Sequence, residues 1–510
     1  MITGMRMEQP DKGNPEYRWQ AGRWIIVALG VAALVLILAV AIVSPVNPVI
    51  HPDEAFHVAA YRYYTAHLLP PTLDSPDVAA TLSGYGYSYL FELDLVYALA
   101  AWTTKPIAWL LEQPMMAARM FNVLLFAILV LAMAMRPGWA PALGIALVTP
   151  QAWYVFSYFN ADALPLATGL LLAAMATRPG GAVGRYLANG ERFPWALLLF
   201  AALFALLILS KRNYLPLAAG LALSLAIVHV GMGWVCLTAA LSGLSLLCLS
   251  VFAHDIPAWT GTAYPLLLQI AGAFCIALAG ALMLLGTWRS RERRPVLARL
   301  AILLAAAAAI AAPRVIWDMT VNGTPSTRAQ TITRIMEEHA VPAFKPSVVA
   351  TGAGYEGRDI ATRGVTLDQM LFEPYRWFGL SVTSAFGVYG YLNVFSPDWL
   401  YSMLIAVFVV LVVLAMAGAI RSHGETGAKL VLALTVIGLL VFAISILHSW
   451  TFDLQRQGRY LFPILPLVAI LAGSGTSRAP RPVLMITLAV AAGLSLYSYG
   501  MYALPFAVRA

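Results

Sequence analysis

The chain has 510 residues, of which 61% are hydrophobic and only 11% charged, with a mean hydropathy of +0.77. Soluble globular domains carry about 25% charged residues, so this composition excludes a soluble protein and specifies an all-α polytopic membrane protein. The net charge of +8 does not call for nucleic acid, because the basic residues sit largely in short loops between apolar runs, where they orient helices.

Residues 1–23 read as a cytoplasmic leader carrying Arg6, Lys12, Arg18 and Arg23. The first apolar run, 24–43, is long enough to span a bilayer and longer than the apolar region of a signal peptide. Ala39-Val40-Ala41 has the look of a cleavage site, but the run's length and the long polar leader predict an uncleaved helix. The next stretch, His51-Pro52-Asp53-Glu54-Ala55-Phe56-His57, is then expected outside. Further spans are predicted at 116–135, 140–157, 162–177, 195–210, 214–230, 233–253, 264–287, 298–316, 396–420, 429–449, 459–474 and 482–503, about thirteen in all.

The segment 89–111 decides the topology. If it crossed the membrane, the short basic loops at 178–192, 289–294, 421–429 and 478–481 would switch to the outside, against the positive-inside tendency. It also carries Glu92, Asp94 and Lys105, which suit a buried span poorly. It is therefore predicted to be a juxtamembrane or re-entrant helix on the outer side. The organisation that follows is a transmembrane module over 24–316 with an outer loop at 44–115, a second outer region at 317–395, and C-terminal transmembrane helices over 396–510. The second region is too long for a plain connector and is expected to fold over the outer face. No internal repeat is evident, which gives an inverted-repeat transporter no direct support. Cys236, Cys248 and Cys275 lie in apolar segments without metal-type spacing and read as small core residues.

An Asp-Glu pair at the mouth of a transmembrane helix is costly to hold near hydrocarbon. Pro52 suits the first turn of a helix, and Asp53 and Glu54 complement a helix N-terminus. On such a helix Asp53 and Glu54 share a face with His57, so the group can act as a general base or hold a divalent cation, with Asp53, Glu54 and His57 as candidate ligands. The same residues also make an ordinary capped helix start without chemistry. Asn160 and Asp162 fall at one outer turn, Lys211 and Arg212 at the next, and Arg456, Arg459 and Tyr460 at a later one. Cations at the outer interface break the positive-inside tendency and suit a phosphate or diphosphate group, although each alone can also snorkel to lipid headgroups. Gly352–Gly357 matches a G-x-G-x-x-G pattern but lacks a surrounding βαβ unit. Asn322-Gly323-Thr324 reads as a turn, and His254, His339, His423 and His448 have no ligand spacing.

Taken in order, Pro52-Asp53-Glu54 with the aromatic run Tyr61-Arg62-Tyr63-Tyr64, Asn160-Ala161-Asp162-Ala163, Ser210–Pro216, Phe386–Tyr391 and Gly458–Pro463 make the chain resemble the GT-C superfamily of membrane glycosyltransferases. That group includes protein O-mannosyltransferases, the aminoarabinose transferase of lipid A and oligosaccharyltransferases, and the match is closest to a poorly characterised bacterial branch. The resemblance implies a GT-C-like bundle in the bacterial inner membrane, with juxtamembrane helices in the first outer loop and a site facing the periplasm. It implies a polyprenyl-phosphate-sugar donor and a lipid, glycan or other envelope acceptor among membrane lipids. Asp53 takes the role of catalytic base or metal ligand, with Glu54 beside it, and Asp162 that of the second outer acid. Lys211 and Arg459 take the phosphate-binding positions, with Arg62, Asn160, Arg212, Arg456 and Tyr460 as further substrate-binding candidates. The chain departs from the oligosaccharyltransferases in lacking a large soluble C-terminal domain. The competing expectations are a transporter or flippase of a lipid-linked sugar, and a non-catalytic partner in envelope polysaccharide assembly.

Overall fold

The computed structural model describes residues 15–509 apart from 48, 112, 179, 254–255, 257–261 and 476–480. Arg6, Lys12, Arg478 and His254 lie outside these. Among the described residues the chain is almost entirely helical, with one two-stranded antiparallel hairpin, Val388–Tyr389 against Val394–Phe395. It is an all-α polytopic membrane protein. Among the described residues nine helices are long and apolar enough to cross a bilayer: Gly22–Val43, Pro114–Met135, Arg212–Val230, Trp234–Ala253, Tyr264–Trp288, Arg293–Asn322, Asp398–His423, Glu425–Thr451 and Pro482–Arg509. A bent pair, Ala163–Thr177 with Ala182–Asn189, makes a tenth candidate, and two shorter apolar helices, Pro194–Ile208 and Gly458–Ser474, fall at further expected spans.

The expected span at 140–157 differs. It is a broken chain of short pieces, Pro137–Trp139, Ala140–Leu143, Gly144–Leu147 and Pro150–Ser157. Pro141 and Pro150 lack the N–H that a continuous helix needs, and Gly144 adds backbone freedom. The segment can be irregular because residues 140–157 are buried among other helices, so their backbone groups never face lipid. It leads into the helix Ala163–Thr177, which runs roughly 22 Å at 1.5 Å per residue between two polar ends of the bundle. Asp162 stands at one end. Arg178 stands at the other, where with Arg185, His229 and His423 it lines a cavity of about 360 Å³.

The segment 89–111 forms a 3₁₀ turn at Tyr89–Phe91, a nine-residue helix Val96–Thr104 and a second 3₁₀ stretch Lys105–Leu110. Nine helical residues cover about 14 Å, half of a bilayer core. The short helix packs instead against Glu54–Ala66 and Pro114–Met135, in an apolar cluster with Val58, Tyr61, Phe121 and Phe159. The region 317–395 folds onto the same end. Its helix Pro325–His339 reaches the first loop through Arg334 and Asp74, 2.7 Å apart, and Val341 N–H donates to the Gly84 carbonyl at 3.0 Å. Asp359 and Ala361 N–H groups donate to the carbonyls of Phe452 and Trp450. These contacts gather distant parts of the chain around Asp53 and Asp162.

Candidate functional site

The helix starts at Glu54, so Pro52 precedes it rather than standing in its first turn. Asp53 is its N-cap, with φ 59° and ψ 1° in the left-handed region. Asp tolerates that conformation better than most residues, but it remains a strained one. Its carbonyl accepts from the N–H groups of Phe56 and His57, while its side chain makes no capping bond. The carboxylate turns away from the helix start and accepts from Arg459 Nη2 at 3.0 Å. A simple capping cluster does not describe it.

Arg459 sits in the 3₁₀ turn Gly458–Leu461 and is only 4% exposed. Its Nη1 donates to the Tyr158 hydroxyl at 3.2 Å, and its Nε lies 4.0 Å from Asp162 Oδ2. Asp162 is 1% exposed and accepts from Lys211 Nζ at both oxygens, each at 2.9 Å. Lys211 lies over the Tyr460 ring, 4.6 Å from its centroid, a cation–π contact that orients the ammonium. The order is therefore Asp53, Arg459, Asp162, Lys211, alternating in sign. Its inner members are buried, whereas Asp53 is 37% and Lys211 24% exposed. The outer members of the chain of charges are the ones a ligand can reach.

Backbone packing fixes Arg459. Gly458 N–H donates to Ser384 Oγ at 2.7 Å, and a Cβ at Gly458 would stand 2.1 Å from the Ala385 nitrogen. Only glycine lets the turn press against the helix Trp377–Ala385. Gly458→Ala is expected to cost about 1–3 kcal/mol through overpacking, read as a lower melting temperature of the purified protein. Unchanged stability would contradict this close approach.

Tyrosines enclose the cluster. Tyr391, at the tip of the hairpin, lies beside Asp53. The positive φ of Gly387 and Gly390, 115° and 61°, shapes the turns that bring it there. Tyr89 is held well above the usual tyrosine range by burial and then by the charge of Asp53. The aromatic motif around Gly387 and Gly390 was the signal for Tyr391, but sequence alone gave it no role.

Several expected site residues take other positions. Glu54 is fully buried and paired with Arg119, Nε to Oε1 at 2.8 Å and Nη2 to Oε2 at 2.7 Å. Its Oε1 also accepts from the Phe159 N–H at 2.9 Å, so its oxygens are held inside the fold rather than presented to a substrate. Arg119 completes the bracket by donating to the carbonyls of Ala41, Ser44 and Pro45. A lone arginine inside an apolar helix was its sequence signal. Asn160 is buried too. Its Oδ1 accepts from the N–H groups of Asp162 and Ala163, and its Nδ2 donates to the carbonyls of Val155 and Tyr158. It shapes the turn that presents Asp162. Arg62 is exposed on the helix Glu54–Ala66, with its side chain outside the cluster. Arg212 pairs with Glu92 at 3.2 Å, and Arg456 donates to the Tyr375 carbonyl at 3.2 Å.

His57 does not share a ligand face with Asp53 and Glu54. Its Nδ1 bonds the Tyr97 hydroxyl at 2.9 Å and its ring stacks on Tyr89. Burial, then the charges of Arg459 and Lys211, holds it well below the usual histidine range and hence neutral. Among the described residues no group of three or more His, Cys, Asp or Glu side chains is placed to hold a metal ion. The three candidate ligands do not fit one, because Asp53, Glu54 and His57 each turn to a different partner.

Asp94 borders the cluster. Burial first, and then Glu92, pushes its carboxyl up to about 8. The unfolded chain releases this proton near pH 4, so the folded state binds the extra proton between about pH 4 and 8. Stability therefore falls as pH rises through that window and levels off above it. Asp94→Asn is expected to flatten this decline in melting temperature measured from about pH 5 to 9; an unchanged slope would contradict the assignment.

Residues 330–468 match the family described as Predicted membrane protein (DUF2142). The match takes in the hairpin, Arg456, Arg459 and Tyr460, and ends within the helix that follows them. No curated protein matches the chain.

Proposed function

We propose that the protein is a membrane glycosyltransferase of the GT-C kind, moving a sugar from a polyprenyl-phosphate donor to an envelope acceptor on the outer face of the bacterial inner membrane. One observation carries this reading: Asp53, Arg459, Asp162 and Lys211 converge at one end of an apolar bundle. The opposite end holds Arg178 and Arg185, the end that the positive-inside tendency assigns to the cytoplasm.

In the reaction, Asp53 takes the proton of the acceptor hydroxyl as its oxygen attacks the anomeric carbon. The bond from that carbon to the phosphate oxygen breaks, and polyprenyl phosphate leaves with the electron pair. Attack opposite the leaving group inverts the anomeric configuration. Lys211, backed by the buried charge of Arg459, stabilises the charge that grows on the phosphate, where fixed donors in a water-poor site act strongly. The pairing of Arg459 with Asp53 holds the base in place, and Asp162 holds the partly exposed Lys211. Glu54 supports the site through Arg119 and does not take part in the chemistry.

The test is transfer of labelled sugar from a panel of polyprenyl-phosphate donors by membranes containing the protein. Transfer is expected with the native chain and is expected to fall by about 10²-fold or more in Lys211→Ala, the loss typical of one electrostatic donor. Full transfer by Lys211→Ala would overturn the phosphate assignment.

A further inference from the structure

A second set of arginines stands apart from this cluster. Arg314 lies near the outer end of the helix Arg293–Asn322, and Arg328 lies on the helix Pro325–His339 that folds back over it. They share one carboxylate. Asp318 Oδ2 is 2.9 Å from Arg328 Nε, and Oδ1 is 3.6 Å from Arg314 Nη1 and accepts from Asn322 Nδ2 at 3.1 Å. Arg314 also donates from Nη2 to the Glu92 carbonyl at 3.2 Å. The Glu92 carboxylate is taken by Arg212 and the Tyr87 hydroxyl.

Cations therefore outnumber anions here. Two guanidinium groups face one carboxylate, and counting the neighbouring pair gives three arginines, Arg212, Arg314 and Arg328, against Glu92 and Asp318. Asp94, the remaining acid nearby, holds its proton up to about pH 8. The Arg314 side chain is only 7% exposed. Its Nε, and Nη2 of Arg328, are buried without a hydrogen-bond acceptor among the described residues, while Nη1 of Arg314 and Nε of Arg328 face the Asp318 carboxylate. A buried charged donor left unpaired is costly, about 1–3 kcal/mol or more for each group, and a native fold normally satisfies it. Several N–H groups from two planar forks around one spot match the oxygens of a tetrahedral anion.

We propose that Arg314 and Arg328 form a second anion site that takes a phosphate group. The site shares no side chain with the Asp53–Lys211 cluster, and it does not rest on the glycosyl-transfer reading. The phosphate can be free or carried by a lipid, since Arg314 lies on the outer part of a membrane-spanning helix and Arg328 on the helix folded over it.

The experiment uses the full chain in phosphatidylcholine nanodiscs, with binding of radiolabelled orthophosphate followed by equilibrium dialysis. Saturable binding is expected, weakened about tenfold or more in Arg328→Gln, a change equivalent to one good charged contact, and retained in Lys211→Ala. Arg314→Lys, which keeps the charge but removes the fork, is expected to weaken it as well and covers the case in which one variant fails to fold. A parallel set with phosphatidic acid in the nanodiscs separates the sources. Competition by that lipid identifies a lipid-borne phosphate, and retained orthophosphate binding identifies a free one. If neither form binds, or if Arg328→Gln binds like the native chain, the two free donors are satisfied by water and the proposal fails. It also fails if only Lys211→Ala abolishes binding, since there is then a single anion site.

Discussion

Asp53→Asn is expected to lower sugar transfer by about 10²–10⁴-fold, the usual contribution of a general base, while the protein accumulates and folds normally. The amide keeps an oxygen to accept from Arg459 Nη2, now 3.0 Å from the carboxylate, and it keeps the side-chain volume. What it loses is the ability to take a proton. The buried Arg459 keeps that oxygen as an acceptor and the Asp162 carboxylate 4.0 Å away, so its charge is not left without a partner. The measurement is the rate of transfer per folded protein, with folding followed by size-exclusion profile and melting temperature. Native-like rates would remove Asp53 from the chemistry, and a simultaneous loss of folded protein would make its role structural.

Arg119→Met is expected to do the opposite, costing about 3–5 kcal/mol of stability, because it strands a buried carboxylate. Glu54 has no water to turn to, since both side chains are fully buried. The loss also removes the donors that hold the carbonyls of Ala41, Ser44 and Pro45 at the end of the first spanning helix. The double change Glu54→Leu with Arg119→Leu is expected to recover much of the loss, because apolar residues can replace a buried pair at little cost. Thermal unfolding in one detergent measures both. A single variant within about 1 kcal/mol of the native chain, the scale of an exposed pair, would show that this ion pair is not what fixes the site's floor.

The contrast between these neighbours explains how much of the site the sequence could show. Asp53 and Glu54 are adjacent, chemically alike and at the same helix start, so local reasoning gave them one role. Their fates diverge because a left-handed residue at 53 throws the two side chains in different directions. One meets Arg459, 406 residues along the chain; the other meets Arg119, 65 residues along. Neither partner is visible in a local pattern. The membrane class, by contrast, was legible from apolar runs alone, since each spanning helix satisfies its own backbone. That logic breaks at 140–157, where prolines interrupt the run and neighbouring helices, not lipid, surround it. The acid and base turns at Asp162, Lys211 and Arg459 were legible because charge at the end of a span is costly and conspicuous. The turn-shaping role of Asn160 was not legible because a buried amide that caps a turn and an amide that binds a ligand look identical in sequence. Arg314 and Arg328 escaped notice because a helix end and a loop helix, separate in sequence, supply one cluster.

The most direct measurement compares membrane glycolipids and surface polysaccharides, by mass spectrometry, between wild-type cells, deletion cells, and deletion cells carrying either the native chain or Asp53→Asn. The expected result is one sugar missing from an envelope acceptor on deletion, restored by the native chain and not by Asp53→Asn expressed at the same level. An unchanged glycan profile on deletion, or full restoration by Asp53→Asn, would contradict the account.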